Sequence, residues 1–126
     1  MQELKSIEGV TIRLATAEDA KLIIDGFIRC YGDSYPNPSM YQEEVVGNQI
    51  QAGLMHSVIA LNASGEVIGH CALSYEHPDD RVPEAGKLFV DPRYRGEHLA
   101  NALAAERKKY AQHLNLVGFW AACVTN

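Results

Sequence analysis

The chain has 126 residues, enough for one domain with its own core and too few for two. Hydrophobic residues make up 47% and charged residues 21%, as in ordinary globular proteins. The formal net charge of −5 argues against a general nucleic-acid-binding protein, which needs a predominantly basic surface. No apolar run approaches the roughly 18 residues of a membrane helix, and the N-terminus has no apolar signal segment. We therefore expect a cytoplasmic protein with no membrane or nucleic-acid partner.

The first 75 residues predict a strand, two helices and a hairpin of two further strands. Alternating apolar and polar residues indicate the first strand, and apolar residues spaced near 3.6 indicate the helices. Two apolar stretches on either side of an Asn62–Gly65 turn indicate the hairpin. The predicted bounds are 10–14 for the first strand, 16–30 and 40–52 for the helices, and 57–61 and 66–75 for the hairpin. Thr16 and Asp19 resemble a capping box at the start of the first helix. Gly69 indicates a bulge in the second strand of the hairpin. The face of the first helix that is expected to be buried carries Leu22, Ile23, Phe27 and Ile28.

The remaining residues predict a strand at 84–90, a long helix at 97–115 and a final strand at 116–125. The complete order is then β-α-α-β-β-β-α-β. A strand, a helix and another strand in succession favour parallel pairing of the two strands. On the long helix, residues 106–109 are expected mainly on the solvent side, opposite a stripe of leucine, alanine and tyrosine residues.

The segment from Val90 to Leu103, VDPRYRGEHLANAL, runs from a strand through a turn into the long helix. The first amides of a helix lack internal partners and lie at the positive end of its dipole. Arg93 and Arg95 add charge in a geometry that suits phosphate oxygens, and Gly96 lets a ligand approach the backbone closely. Taken alone, these residues leave two interpretations open, a phosphate site or an ordinary basic surface turn.

The pattern V-D-P-x-Y-R-G-x-x-L-A resembles the acyl-coenzyme A signature of the GNAT N-acetyltransferase superfamily, and the predicted order of elements resembles its fold. The resemblance implies an α/β fold with a mixed sheet and acetyl-coenzyme A (acetyl-CoA) as co-substrate. In that family, backbone amides of an Arg-x-x-Gly-x-Gly/Ala segment hold the CoA pyrophosphate. Arg95 matches the arginine and Ala100 the last small residue, whereas His98 stands where the first motif glycine is usual. A negative φ, as at any helix start, would let histidine stand there at little cost, and we expect CoA still to bind.

The resemblance also implies roles for individual residues. The expected pyrophosphate cradle comprises Arg93, Arg95, Gly96, Glu97, His98, Leu99 and Ala100. The backbone of Leu88, Phe89 and Val90 is expected to face the acetyl carbonyl and the pantetheine arm. Glu84 matches a position at which some members have a general base, and the alternative is a solvated acid at a strand end. The residues expected to line the acceptor site are Tyr31, Tyr35 and Tyr75.

The activity implied by the resemblance is transfer of an acetyl group to a primary amine of a small molecule or a protein. Two other classes stay open, a non-catalytic acyl-CoA sensor or interaction module and a nucleotide-binding α/β protein that uses the same turn. The family usually continues beyond its fifth strand with a helix and two strands. We therefore expect a further C-terminal segment or a second copy to cover the open sheet edge. The spacing of the histidines and cysteines does not fit a zinc site, and no metal is expected.

Overall fold

The computed structural model describes residues 9–32, 38–75, 82–94, 98–113 and 120–121. Within them, five strands form one sheet in the order β1-β2-β3-β4-β5. The strands are β1 (Thr11–Leu14), β2 (Met55–Leu61), β3 (Val67–Ser74), β4 (Glu84–Val90) and β5 (Trp120–Ala121). The helices are α1 (Ala20–Tyr31), α2 (Glu43–Gln51) and α3 (Leu99–His113). Short 3-10 turns precede α1 and α2 at Ala17–Asp19 and Pro38–Tyr41, and another follows β4 at Pro92–Tyr94.

The pairing of the strands confirms the predicted mixed α/β fold. Strands β1 to β4 are antiparallel neighbours, and β5 pairs with β4 in parallel. The parallel pair aligns Glu84 with Trp120 and Ala85 with Ala121. The other residues of the predicted final strand, 116–119 and 122–125, lie outside the described part of the chain.

The sheet separates two apolar layers, because successive residues of a strand face opposite sides. One layer joins α1 and α2 to the sheet through residues that include Ile23, Phe27, Val46, Ile59, Ala72 and Phe89. The other joins α3 to the sheet through residues that include Ile12, Val58, Ile68, Leu99 and Leu103. The adjacent residues Val58 and Ile59 thus belong to opposite layers.

The predicted bulge at Gly69 is confirmed. Ala60 pairs with Gly69 but Leu61 pairs with Val67, so β3 has one extra residue between these pairs. A Cβ on Gly69 would lie only 2.8 Å from Leu103 Cδ1. The glycine therefore lets α3 approach the sheet closely.

Two predictions about helix faces are wrong. On α1, Ile23 and Phe27 are buried as expected, but Leu22 and Ile28 are exposed. The buried face also includes Ala20, Ile24 and Gly26, and at Gly26 the helix backbone comes close to Val67 and Phe89 of the sheet. On α3, Glu106 is fully buried, since it follows Ala102 and Leu103 by four and three residues and so shares their face.

Within the described residues, no helix is both long enough and apolar enough to cross a membrane.

Candidate functional site

A cavity of about 440 Å³ opens where the end of β4 meets the beginning of α3. The residues that line it are Tyr31, Leu88, Phe89, Val90, Tyr94, His98, Leu99, Ala100 and Asn101. One wall is therefore strand backbone with apolar side chains, and the other is the first turn of a helix. The cavity brings together six residues that the sequence predicted for a cofactor site, three from the strand and three from the start of α3.

Strand β4 is irregular where it borders the cavity. His70 pairs with Phe89, and Ala72 pairs with Gly86. Between these pairs β3 has one residue and β4 has two. The extra residue forms a bulge at Lys87 and Leu88, opposite Cys71. Lys87 has a φ of 55°, which is rare for a residue with a side chain. The bulge turns the backbone of β4 away from regular pairing with β3 just before Phe89 and Val90.

The turn after β4 is stabilised by Asp91, which is buried and directly follows Val90 of the cavity lining. Its carboxylate accepts hydrogen bonds from the backbone N–H of Arg93 (2.9 Å) and from the Arg93 guanidinium (2.9 and 3.1 Å). Arg29 of α1 donates to the same carboxylate at 3.2 Å. Two arginines and a backbone amide thus stabilise the charged form, and the pKa of Asp91 falls to about 2.

The depressed pKa of Asp91 predicts acid sensitivity. An aspartate with an ordinary pKa near 3.8 in the unfolded chain and about 2 in the folded protein contributes about 2 kcal/mol above pH 4. This contribution is lost as the pH falls through the folded-state pKa. Urea unfolding between about pH 5 and about pH 2 should show that the free energy of unfolding of the wild type falls with decreasing pH. In Asp91→Asn this fall should be smaller, because the contribution of Asp91 is absent. An equal fall in the two proteins would mean that the arginines do not stabilise the charged Asp91.

Arg93 is paired with carboxylates and is not among the residues that line the cavity. Its guanidinium contacts Asp91 at 2.9 Å and Glu66 at 3.2 Å. It also lies over the ring of Tyr94, 5.7 Å from the ring centroid. Arg93 therefore stabilises the turn. Tyr94, which was not among the predicted site residues, lines the cavity instead.

His98 begins α3 in a conformation that differs from the expected one. Its φ is +63°, in the left-handed region that favours glycine, so the expectation of a negative φ is wrong. Its carbonyl accepts the first helical hydrogen bond, from the N–H of Ala102 at 3.1 Å. A glycine at this position would adopt the same backbone without the cost that a Cβ adds.

Replacing His98 with glycine is expected to raise the free energy of unfolding by about 1 kcal/mol, because it removes the left-handed strain. His98→Ala is the control, since it removes the imidazole but keeps the Cβ, and it should bring no gain. Chemical denaturation of the three proteins compares them directly. A glycine variant less stable than the wild type would mean that the imidazole itself stabilises this end of α3.

Glu84 lies at the start of β4, outside the group of residues that line the cavity. It pairs with Ser74 on β3 and lies on the same face as Gly86. Lys87 reaches this region too, donating from Nζ to Ser74 Oγ at 2.9 Å. Burial lowers the pKa of Lys87, while the Glu84 carboxylate acts in the opposite direction. The Glu84 carboxylate and the half-buried Lys87 amine thus both lie near Ser74, in the part of β4 that precedes the cavity-lining residues.

The three tyrosines expected at an acceptor site are not all brought together. Tyr31 lines the cavity and donates a hydrogen bond to the carbonyl of Leu88 at 2.9 Å. Tyr75 follows β3 near the other end of α3, where its ring lies 6.0 Å from that of His56. Burial raises the pKa of Tyr75. Tyr35 lies outside the described residues, as do Arg95, Gly96 and Glu97.

Metal-binding side chains are not grouped in the described part of the chain. No three histidine, cysteine or acidic residues there are arranged to hold an ion. His70 is fully buried between a backbone carbonyl and a serine hydroxyl, and burial lowers its pKa to about 4. Burial also raises the pKa of Cys71 to about 12, which makes its thiol a poor nucleophile.

Residues 21–126 match the family described as the acetyltransferase (GNAT) family. None of the curated protein sequences compared with the chain matches it.

Solved structures of acetyltransferases share the fold. A GNAT-family acetyltransferase from Staphylococcus aureus superposes with a TM-score of 0.72 at 14% identity, over 91% of this chain and 73% of that one. A predicted acetyltransferase from Clostridium acetobutylicum, solved with acetyl-CoA, gives 0.70 at 16% identity, over 92% and 82%. Glucosamine-6-phosphate N-acetyltransferase from Arabidopsis thaliana gives 0.69 at 16% identity, over 94% and 84%.

Proposed function

Because the chain belongs to the GNAT acetyltransferase family, we propose that it binds acetyl-CoA and transfers the acetyl group to a primary amine of a small molecule or a protein. The observation that carries this proposal is the cavity between bulged strand β4 and the first turn of α3. Its volume lies within the range of small-molecule sites. The Clostridium acetyltransferase, which shares the fold and was solved with acetyl-CoA, supports the choice of co-substrate.

The two walls of the cavity suit the two chemically different parts of acetyl-CoA. The start of α3, from His98 to Asn101, offers backbone N–H groups at the positive end of the helix dipole, which favours the pyrophosphate. Leu88, Phe89 and Val90 offer strand backbone and apolar side chains, which favour the pantetheine arm. We include Arg95, Gly96 and Glu97 in the pyrophosphate cradle on the sequence pattern.

Glu84 is the proposed general base. Attack of an amine nitrogen on the thioester carbonyl requires that the amine lose a proton, and a carboxylate can accept it directly or through water. The C–N bond then forms, the C–S bond breaks, and the CoA thiolate leaves with the electron pair. Tyr31, Tyr35 and Tyr75 are proposed as aromatic contacts for the acceptor amine.

Calorimetric titration with acetyl-CoA tests the binding step. We expect micromolar affinity, and Arg95→Glu should reduce it by at least tenfold because it puts an acid against a phosphate. Lys108→Glu is the matched control, since it makes the same charge change on an exposed part of α3 and should leave the affinity unchanged. A folded wild type that does not bind acetyl-CoA would overturn the proposal.

Turnover with a panel of amines tests the transfer step. Glu84→Gln should lower the rate by about a hundredfold or more while acetyl-CoA still binds. Glu44→Gln, the same change on the exposed side of α2, should have no effect. Binding without turnover of any amine by the wild type would favour the non-catalytic sensor. Competition by ATP at equal concentration would favour the nucleotide-binding alternative.

A further inference from the structure

The carbonyl groups of both bulge residues in β4 are held by side chains from other elements. His70 Nδ1 lies 2.7 Å from the carbonyl oxygen of Lys87, and the Tyr31 hydroxyl lies 2.9 Å from that of Leu88. A bulge interrupts the regular ladder of hydrogen bonds between strands, so its backbone groups need other partners. His70 and Tyr31 supply these partners from β3 and α1.

The hydrogen bonds of His70 fix its tautomer. A carbonyl oxygen can only accept, so Nδ1 must carry the proton that is shared with Lys87. Burial keeps the ring neutral, because it lowers the pKa to about 4, and a neutral imidazole has one N–H. Nε2 is therefore an acceptor, and the Ser57 hydroxyl donates to it at 2.9 Å. The Lys87 carbonyl thus places the proton on the nitrogen that faces the bulge, and the Ser57 hydroxyl satisfies the other nitrogen and holds the ring in this orientation.

The hydrogen bonds that link Ser57, His70 and Lys87 involve side chains that are shielded from water. Ser57 and His70 are 1% and 0% exposed. The imidazole stacks on Phe89, with 5.6 Å between ring centroids and an interplanar angle of 11°. Phe89 itself lines the cavity, so the same imidazole contacts the bulge, by a hydrogen bond to Lys87, and the first residue after it, by stacking on Phe89.

We propose that His70 is a positioning residue, which with Ser57 holds the β4 bulge so that the backbone of Leu88 to Val90 faces the thioester carbonyl of acetyl-CoA. The inference rests on the proposed function. The left-handed φ of Lys87 is unfavourable by itself and needs a compensating contact. Without the Nδ1 donor, the Lys87 carbonyl would lose its buried partner, and the backbone of the bulge would lose its alignment with the acetyl group.

Loss of this alignment should affect acetyl-CoA more than free CoA, because only the former has the acetyl carbonyl. In the wild type we expect acetyl-CoA to bind about fivefold more tightly than CoA, the effect of one added hydrogen bond. His70→Phe keeps a flat ring against Phe89 but has no donor, and it should abolish this preference while changing CoA affinity less than twofold. His70→Asn places an amide donor near the position of Nδ1 and should restore most of the preference.

His56→Phe is the matched control, since it makes the same substitution in β2 beside Tyr75 and Tyr110, away from the bulge. It should leave the preference unchanged. Ser57→Ala gives a second test if His70→Phe does not fold, because it leaves the ring in place but removes the hydrogen bond to Nε2 that holds the ring in its orientation. We expect a smaller loss of preference, about twofold.

The outcomes separate the positioning role from the proposed function. Failure of the wild type to bind either ligand would overturn both. Equal affinity of the wild type for the two ligands, or a preference that survives in folded His70→Phe or Ser57→Ala, would overturn the positioning role alone. Nitrogen-15 NMR of the imidazole gives an independent test without ligand, since at neutral pH the proton should lie on Nδ1. A proton on Nε2 would contradict the inference.

Discussion

Replacing Gly26 with alanine is expected to destabilise the protein by about 3 kcal/mol, although alanine normally favours a helix. Gly26 lies in the middle of α1, on the face that contacts the sheet. A Cβ there would lie 2.4 Å from Phe89 Cζ and 2.9 Å from the carbonyl oxygen of Val67. Neither neighbour can move easily, because the oxygen is backbone and the Phe89 ring is buried between Phe27 and His70. Overpacking of this kind costs about 1–3 kcal/mol or more.

Gly47→Ala is the control for this prediction, because it makes the same change in a helix with room for it. Gly47 lies in α2, and an added Cβ would be 3.6 Å from its nearest neighbour, the carbonyl oxygen of Ala17. This substitution should stabilise the protein by about 0.5–1 kcal/mol, the ordinary preference of a helix for alanine over glycine. Chemical denaturation of the two variants should therefore give changes of opposite sign.

The Gly26→Ala variant should also show a functional defect wherever it stays folded. Its methyl group pushes on Phe89, which lines the cavity and stacks on His70. We expect weaker acetyl-CoA binding in this variant and unchanged binding in Gly47→Ala. A Gly26→Ala protein as stable as the wild type would mean that α1 can move away from the sheet, and the close packing between them would then be unimportant.

Much of the fold could be predicted from the sequence because its strongest signals are local. The apolar runs of β2 and β3, with the Asn62–Gly65 turn between them, predict the hairpin that the structure contains. The order of strand, helix and strand predicts the parallel pair of β4 and β5. The predicted face of α1 was partly wrong because hydrophobicity alone placed Leu22 and Ile28 inside. Its buried face includes Ala20 and Gly26, which carry little hydrophobic signal, and Gly26 lies against Val67 and Phe89 of the sheet.

Although their role in cofactor binding stays a prediction, the grouping of Leu88, Phe89, Val90, His98, Leu99 and Ala100 along one cavity was predictable from the sequence pattern. The contacts that hold these residues were not. Arg29 lies 62 positions before Asp91, and His70 lies 17 before Lys87, so no local pattern connects them. Asp91 did have a local signal, because an aspartate before a proline often accepts hydrogen bonds from the turn that follows. The bulge at Lys87 had none, since positive φ at a lysine arises from tertiary contacts.

Replacing Glu106 with methionine is expected to stabilise the protein by about 2 kcal/mol. The Glu106 side chain is fully buried in α3, and neither of its carboxylate oxygens has a hydrogen-bond partner among the described residues. Its ion pair is with Lys109, at 3.5 Å, and the side chain of Lys109 is 55% exposed. An ion pair with an exposed partner at that distance offsets little of the free energy that is lost when a carboxylate is removed from water. Replacing a weakly paired buried charge with an apolar side chain of similar size commonly stabilises by about 1–4 kcal/mol.

Two further variants show whether the burial of the carboxylate is the cause. Glu106→Gln keeps the shape and removes the charge, so it should recover part of the gain. Lys109→Met removes the ion pair alone and should change the free energy of unfolding by less than about 0.5 kcal/mol, since one partner is mostly in water. If Glu106→Met instead lowers the melting temperature, the carboxylate has a stabilising partner in the part of the chain outside the described residues. Because α3 also forms one wall of the cavity, acetyl-CoA affinity should be measured in the same variants. We expect it to stay unchanged, since Glu106 lies almost two turns beyond the helix start that faces the ligand.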